Sequence, residues 1–77
     1  MSNRVYIDVL VAWGREGRIL PRAIKWTDGM RYPVGRVLDM RPAASLKTGG
    51  AGTRYTVRIG GEQRFLFLDG ERWFMEQ

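Results

Sequence analysis

The chain has 77 residues, 44% hydrophobic and 27% charged, which fits one small folded domain and not a disordered segment. Thirteen Lys and Arg oppose eight Asp and Glu, for a net charge of +5 and a pI near 10.5, and every cation except Lys25 and Lys47 is Arg. With neither Cys nor His present, disulfide staples, thiolate zinc and iron–sulfur sites, Cys nucleophiles and imidazole acid–base chemistry are all excluded. A domain this small needs dense packing, and three Trp, three Tyr and three Phe supply it.

The first segment, Arg4–Trp13, alternates with period two. Val5, Ile7, Val9, Val11 and Trp13 occupy the odd positions, and Arg4, Tyr6, Asp8, Leu10 and Ala12 the even ones. This is a half-buried strand with its odd residues, Trp13 included, turned inward. Arg4 and Asp8 interrupt any leader-like run, and Val9–Trp13 is too short to cross a membrane. The absence of Cys fits a reducing compartment. The chain therefore reads as soluble and cytoplasmic, with no membrane partner.

Gly14-Arg15-Glu16-Gly17 is a turn, and Arg18–Trp26 runs back extended. Pro21 cannot donate to a ladder, which puts it at an edge or a bulge. At Thr27-Asp28-Gly29 a three-residue loop with Gly29 left-handed pairs Trp26 with Met30 and Ile24 with Tyr32, keeping apolar residues on one face. Met30–Arg41 continues as a strand whose inward parity changes between Val34 and Val37. A glycine, Gly35, sits at the change, as expected for a β-bulge bending a strand round a barrel corner. Pro42 ends that strand. Residues 43–53 form a flexible Gly-rich loop.

The last third is a three-strand meander: Arg54–Ile59, Glu62–Leu68 and Glu71–Glu76, joined at Gly60-Gly61 and Asp69-Gly70. No stretch shows a convincing helical period. The expected fold is all-β, a single domain forming a five- to six-stranded antiparallel barrel or roll of SH3-like or OB-like scale.

No catalytic constellation emerges. Ser45 and Lys47 share the loop two residues apart, which is no preorganised dyad. Asp28 and Asp69 are accounted for by turn chemistry, and Asp39 by an ion pair with Arg36 or Arg41. In Gly49-Gly50-Ala51-Gly52 the lysine precedes the glycines and a strand follows, so the context of a phosphate-binding loop is absent. The chain is expected to be no enzyme and to need no cofactor or metal.

The meander is the more informative feature. With two-residue turns, one face carries Tyr55, Val57, Ile59, Leu66, Leu68, Trp73 and Met75, and the other Arg54, Arg58, Phe65, Phe67, Arg72 and Phe74. With three-residue loops the outer face becomes Arg54, Arg58, Arg64, Leu66, Arg72 and Phe74. Phe65–Leu68 is apolar on both parities, so both registers stay open. Both place Arg54, Arg58, Arg72 and Phe74 together. Arginines around an aromatic ring on a sheet are what nucleic-acid-binding sheets use, through phosphate contacts and base stacking. The same composition suits a protein partner or self-association into a homo-oligomer, through this face or an edge near Pro21.

From Trp26 onward the letters Trp26-x-x-Gly29-x-x-Tyr32-x-Val34-x-x-Val37-Leu38-Asp39, then Arg54-Tyr55-x-Val57, Phe65-Leu66 and Trp73-Phe74-x-Glu76 form a pattern. It resembles small bacterial domains of unknown function, some attached to or encoded near translesion DNA polymerases, over about two-thirds of the chain. The resemblance implies a DNA-transaction accessory and supplies no catalytic residues. The expectation is a binding module in which Arg54, Arg58 and Arg72 contact phosphates and Phe74 stacks or anchors.

Overall fold

The computed structural model describes residues 4–44 and 51–76. Six strands, β1 (Arg4–Trp13), β2 (Ile19–Lys25), β3 (Arg31–Ala44), β4 (Ala51–Ile59), β5 (Glu62–Asp69) and β6 (Arg72–Glu76), pair antiparallel in chain order. The sheet closes into a barrel when β6 returns to β1, with Arg4–Ile7 beside Trp73–Glu76.

The first two hairpins share one design. In each, a backbone N–H and carbonyl four residues apart close the loop (Gly14 to Arg18 at 2.7 Å, Trp26 to Met30 at 2.9 Å). A glycine with φ near +80° precedes the second strand, Gly17 in one and Gly29 in the other. Asp28 adds a side-chain clasp, accepting from the Met30 N–H at 2.8 Å. The Ile24–Tyr32 pairing expected from the sequence is present. Met30 and Tyr32 nevertheless stay exposed, and the Tyr32 hydroxyl donates to Asp28 Oδ2 at 3.1 Å.

β3 bends as Gly35 foretells, with a register shift between Val34 and Arg36. A second shift between Val37 and Asp39 leaves Leu38 outside and turns Met40 inward against Tyr55. Pro42 does not end the strand. It pairs with Thr53, and the ladder runs on through Ala43–Gly52 to Ala44–Ala51. This is tolerated because β2 accompanies β3 only over Arg31–Pro33, so the proline's missing donor need not fall on a paired side. The expected 43–53 loop is accordingly shorter: 43, 44 and 51–53 are strand, and 45–50 lie outside the described residues. Gly52 belongs to the ladder, where an added Cβ would meet the Leu68 carbonyl oxygen at 3.2 Å.

Pro21 satisfies both readings made of it. It is fully buried, it adjoins the bulge where Leu10 pairs with Ala23 and Val11 with Pro21, and its strand has no β3 partner there. Trp13 departs from expectation. On the last rung of the β1–β2 ladder, opposite Ile19, it is 71% exposed and contributes nothing to the core.

The core is Ile24, Tyr55, Val57, Leu66, Trp73 and Met75, ringed by Ile7, Val9, Val37 and Met40 among others. Where the β2–β3 ladder ends, the strands diverge around a groove of about 520 Å³ lined in part by Leu20, Pro21, Val34, Val37 and Met40. Tyr55 on β4 ties itself to β2, its hydroxyl donating to the Ile19 carbonyl at 2.7 Å. Burial raises the pKa of that phenol above its usual 10.0.

Tyr55→Phe should cost about 1–2 kcal/mol in urea unfolding, since the Ile19 carbonyl loses its partner. Because the folded pKa is raised, Tyr55 contributes stability below pH 10 that is lost as pH rises through the folded value. The Phe variant should show less of that alkaline loss.

Candidate nucleic-acid interface

Turn chemistry decides which residues of the meander face outward. Gly60 and Gly61 have φ of +60° and +80°, the pair of left-handed values of a type I′ turn, and Ile59 pairs with Glu62. The second turn differs from expectation by one residue. Asp69 pairs with Arg72, so the tip is Gly70-Glu71 and not Asp69-Gly70. Of these residues only Gly70 has positive φ, at +63°, the pattern of a type II′ turn. A tip at Asp69-Gly70 would force Asp69 into the left-handed region, whereas this one asks it only of glycine. Trp73 consequently pairs with Leu68, not Leu66. A slip of two keeps every side chain on its face, so the two-residue-turn division of faces holds.

On the outer face the register builds a row across five strands: Arg41, Arg54, Phe67, Phe74 and Tyr6. Phe67 and Phe74 stack at 5.0 Å and 8° between ring planes, and Tyr6 meets Phe74 at 5.6 Å. Arginines cap the rings. The Arg4 guanidinium lies 4.5 Å from the Phe74 centroid, Arg72 4.2 Å from Tyr6, and Arg54 4.9 Å from Phe65, two residues from Phe67 on β5.

Of the four residues expected at the site, Arg54, Arg72 and Phe74 come together in this cluster. Arg58 does not. It lies four residues along β4 from Arg54, opposite Gln63, and its Nη1 donates to the Gly61 carbonyl at 3.2 Å, bracing the turn. Phe74 is not the exposed ring expected of a stacking group. It is 6% exposed, covered by Arg4, Tyr6 and Phe67, while Phe65 at 45% and Tyr6 at 43% are the open rings. Arg4 and Tyr6 were not singled out in the sequence, because only closure of β6 onto β1 brings them here; their shared even parity with an outward face was the available signal.

Charges on this face meet across the ladder as well as within strands: Arg4 lies directly opposite Glu76 and Arg72 opposite Asp69. Among the described residues the ion pairs are Arg18–Glu16, Arg41–Asp39 and Arg64–Glu62, and Arg4, Arg54, Arg58 and Arg72 take part in none. Arg36 lies directly opposite Arg58, and Arg41 opposite Arg54. Like charges directly opposite on a sheet are destabilising. Asp39 relieves the second pair by holding Arg41 Nε at 2.7 Å. Arg54 Nε is covered and has no hydrogen-bond partner.

Among the described residues no group of His, Cys, Asp and Glu could hold a metal ion, and no helix is long and apolar enough to cross a membrane. No family model matches the chain, and no curated protein or solved structure matches it either.

The two kinds of ring should separate in a stability assay. Phe74→Ala should lower the unfolding free energy by about 3 kcal/mol, as for a covered ring. Phe65→Ala should lower it by about 1 kcal/mol, the order of one exposed cation–π contact. Equal losses in urea titrations would mean that Phe74 is not held by its neighbours.

Proposed function

We propose that this chain is a non-enzymatic module that binds nucleic acid through the outer face of β4, β5, β6 and β1. The observation that carries the reading is the set of guanidinium groups that lie on aromatic rings, Arg4 on Phe74, Arg72 on Tyr6 and Arg54 on Phe65, none of them within ion-pair distance of a carboxylate among the described residues. A guanidinium resting on a ring gives up little side-chain entropy when it meets an anion, because the ring already restricts it. Its N–H edges remain donors for phosphate oxygens. The opposed cations Arg36–Arg58 and Arg41–Arg54 favour an anionic partner for the same reason that they weaken the free barrel. Arg58 would extend the phosphate track along β4, and Phe74 serves as the platform beneath the open rings. The setting such a partner implies is the cytoplasm, beside DNA-handling enzymes of the kind the sequence resemblance names.

A second reading, contact with another protein or with a second copy, is favoured by Leu10 at 66% and Trp13 at 71% exposure on the β1–β2 side. On that reading, sedimentation or size exclusion should show association that Trp13→Ser abolishes. A concentration-independent monomer counts against self-association.

Nucleic-acid binding followed by fluorescence anisotropy should weaken log-linearly with salt, with a slope of roughly −2 to −3.6 for three or four phosphate contacts. Arg54→Ala and Arg72→Ala should each weaken binding across all sequences and flatten the slope by roughly 0.7 to 0.9. No binding of DNA or RNA at low salt overturns the reading.

A further inference from the structure

Four aromatic rings share the outer face, and only the outer two are open. Phe67 and Phe74 are stacked against each other, with Phe74 covered. Flanking them, Tyr6 and Phe65 are each more than two-fifths exposed, at 43% and 45%. Each open ring carries one guanidinium, Arg72 at 4.2 Å from Tyr6 and Arg54 at 4.9 Å from Phe65. The face thus holds two units of the same chemistry on either side of a stacked pair.

Their spacing says what they accept. Phe65 stands two strands from Tyr6 and two residues off its row. With strands about 4.8 Å apart and a rise of about 3.3 Å per residue, the two positions are roughly 12 Å apart. Bases in a stacked strand follow one another at about 3.4 Å, and within a duplex each has both faces occupied. Rings this far apart take bases only from a strand whose stack is open. One unit also has room beside it. A cleft of about 390 Å³ between β1 and β6 is lined in part by Tyr6, Asp8, Glu71, Arg72 and Trp73. Its two carboxylates disfavour a phosphate there and suit the amino edge of a base.

We infer that the face takes single-stranded nucleic acid, with one base on the Tyr6–Arg72 unit and another on the Phe65–Arg54 unit. Phosphates meet Arg4 and the N–H edges of Arg54 and Arg72 on either side of Glu76, the carboxylate this face carries opposite Arg4. This rests on the nucleic-acid reading and narrows it to strands with unpaired bases. DNA and RNA offer the same stacking and phosphate chemistry, and the probes below separate them.

The test uses the full chain with labelled oligothymidine, oligouridine and a mixed-sequence duplex, each about 12 nucleotides long, within the span a small barrel covers. At about 50 mM salt one or both single strands should bind at least roughly 10-fold tighter than the duplex, and the tighter of the two identifies the sugar preferred. Phe65→Leu and Tyr6→Leu should each weaken single-strand binding roughly 5- to 100-fold, the loss of one base–ring stack, and weaken duplex binding less than roughly 3-fold, the loss of the ring's hold on its arginine. Tyr6→Phe keeps the ring and should bind as the parent does. Because Tyr6 also covers Phe74, thermal unfolding is measured for every variant. If Tyr6→Leu does not fold, Phe65→Leu, at an open ring, carries the test alone. Duplex binding as tight as single-strand binding, or folded Leu variants that bind single strands undiminished, overturns the single-strand inference and leaves the broader reading standing. Failure of all three probes at low salt overturns both.

Discussion

A meander of six strands closes only if some strand turns its inner face through the corner between two walls, and β3 does this twice. Val34 faces in, Val37 faces in and Met40 faces in, a spacing of three each time, because Gly35 and Leu38 each add one residue to the ladder. Without both bulges the strand would follow a period of two and put Val37 or Met40 into solvent. The bend separates β3 from β2 after three pairs, so the barrel relies elsewhere for closure: on the Tyr55 hydroxyl that reaches Ile19, and on the β6–β1 ladder. That ladder is what sets Tyr6 beside Phe74. The candidate binding face is therefore a product of closure and does not exist in any one hairpin.

A barrel this narrow cannot hold all its rings. Trp73 and Tyr55 occupy the interior 5.3 Å apart, with Val57 and Leu66 fully buried beside them. Phe65, Phe67, Phe74 and Tyr6 are left for the outside. There they make a second, thinner apolar layer, roofed by the stems and guanidinium groups of Arg4, Arg54 and Arg72 instead of by another sheet. The arrangement explains how Phe74 is both outward-facing and covered. It also divides labour: the stacked pair Phe67–Phe74 stabilises the sheet, and the open pair is available to something else.

Much of the barrel was legible in the sequence, because period-two patterning and turn residues are local. The extent of β1, the Gly29 loop with its Ile24–Tyr32 pair and the bulge at Gly35 all follow from residues close in the chain, whereas the faces of the meander stay divided between two registers because Phe65–Leu68 is apolar on both parities. The misreadings have physical causes of another kind. Asp69-Gly70 is a strong turn signal, yet the tip moved to Gly70-Glu71, where only glycine needs a positive φ. Pro42 reads as a stop only if both sides of its strand are paired. The second bulge at Leu38 carries no glycine to announce it. Trp13 fits the inward parity of β1 but stands on the last rung of its ladder, opposite Ile19 and beside the turn, where no core residue covers it. Of the site, Arg54, Arg72 and Phe74 were visible as one face, but Phe74's cover was not, because Arg4 and Tyr6 arrive from the opposite end of the chain.

Stability alone does not account for the charge at Arg54. Arg18, Arg41 and Arg64 each have a carboxylate within 4 Å, so pairing cations locally is something this sequence does. Of the arginines that lie on rings, Arg4 faces Glu76 and Arg72 faces Asp69 across the ladder without a contact that short, and Arg54 faces no carboxylate. Arg54 faces another arginine across the ladder and keeps its Nε covered without an acceptor, and both features cost stability in the free protein. Gln at position 41 would remove the first cost, and the Asp39 bridge with it, without disturbing the core. A small domain with little stability to spare that nonetheless keeps cations opposed over open aromatic rings fits a surface whose favourable state includes an anion, one with flat groups to lay on those rings.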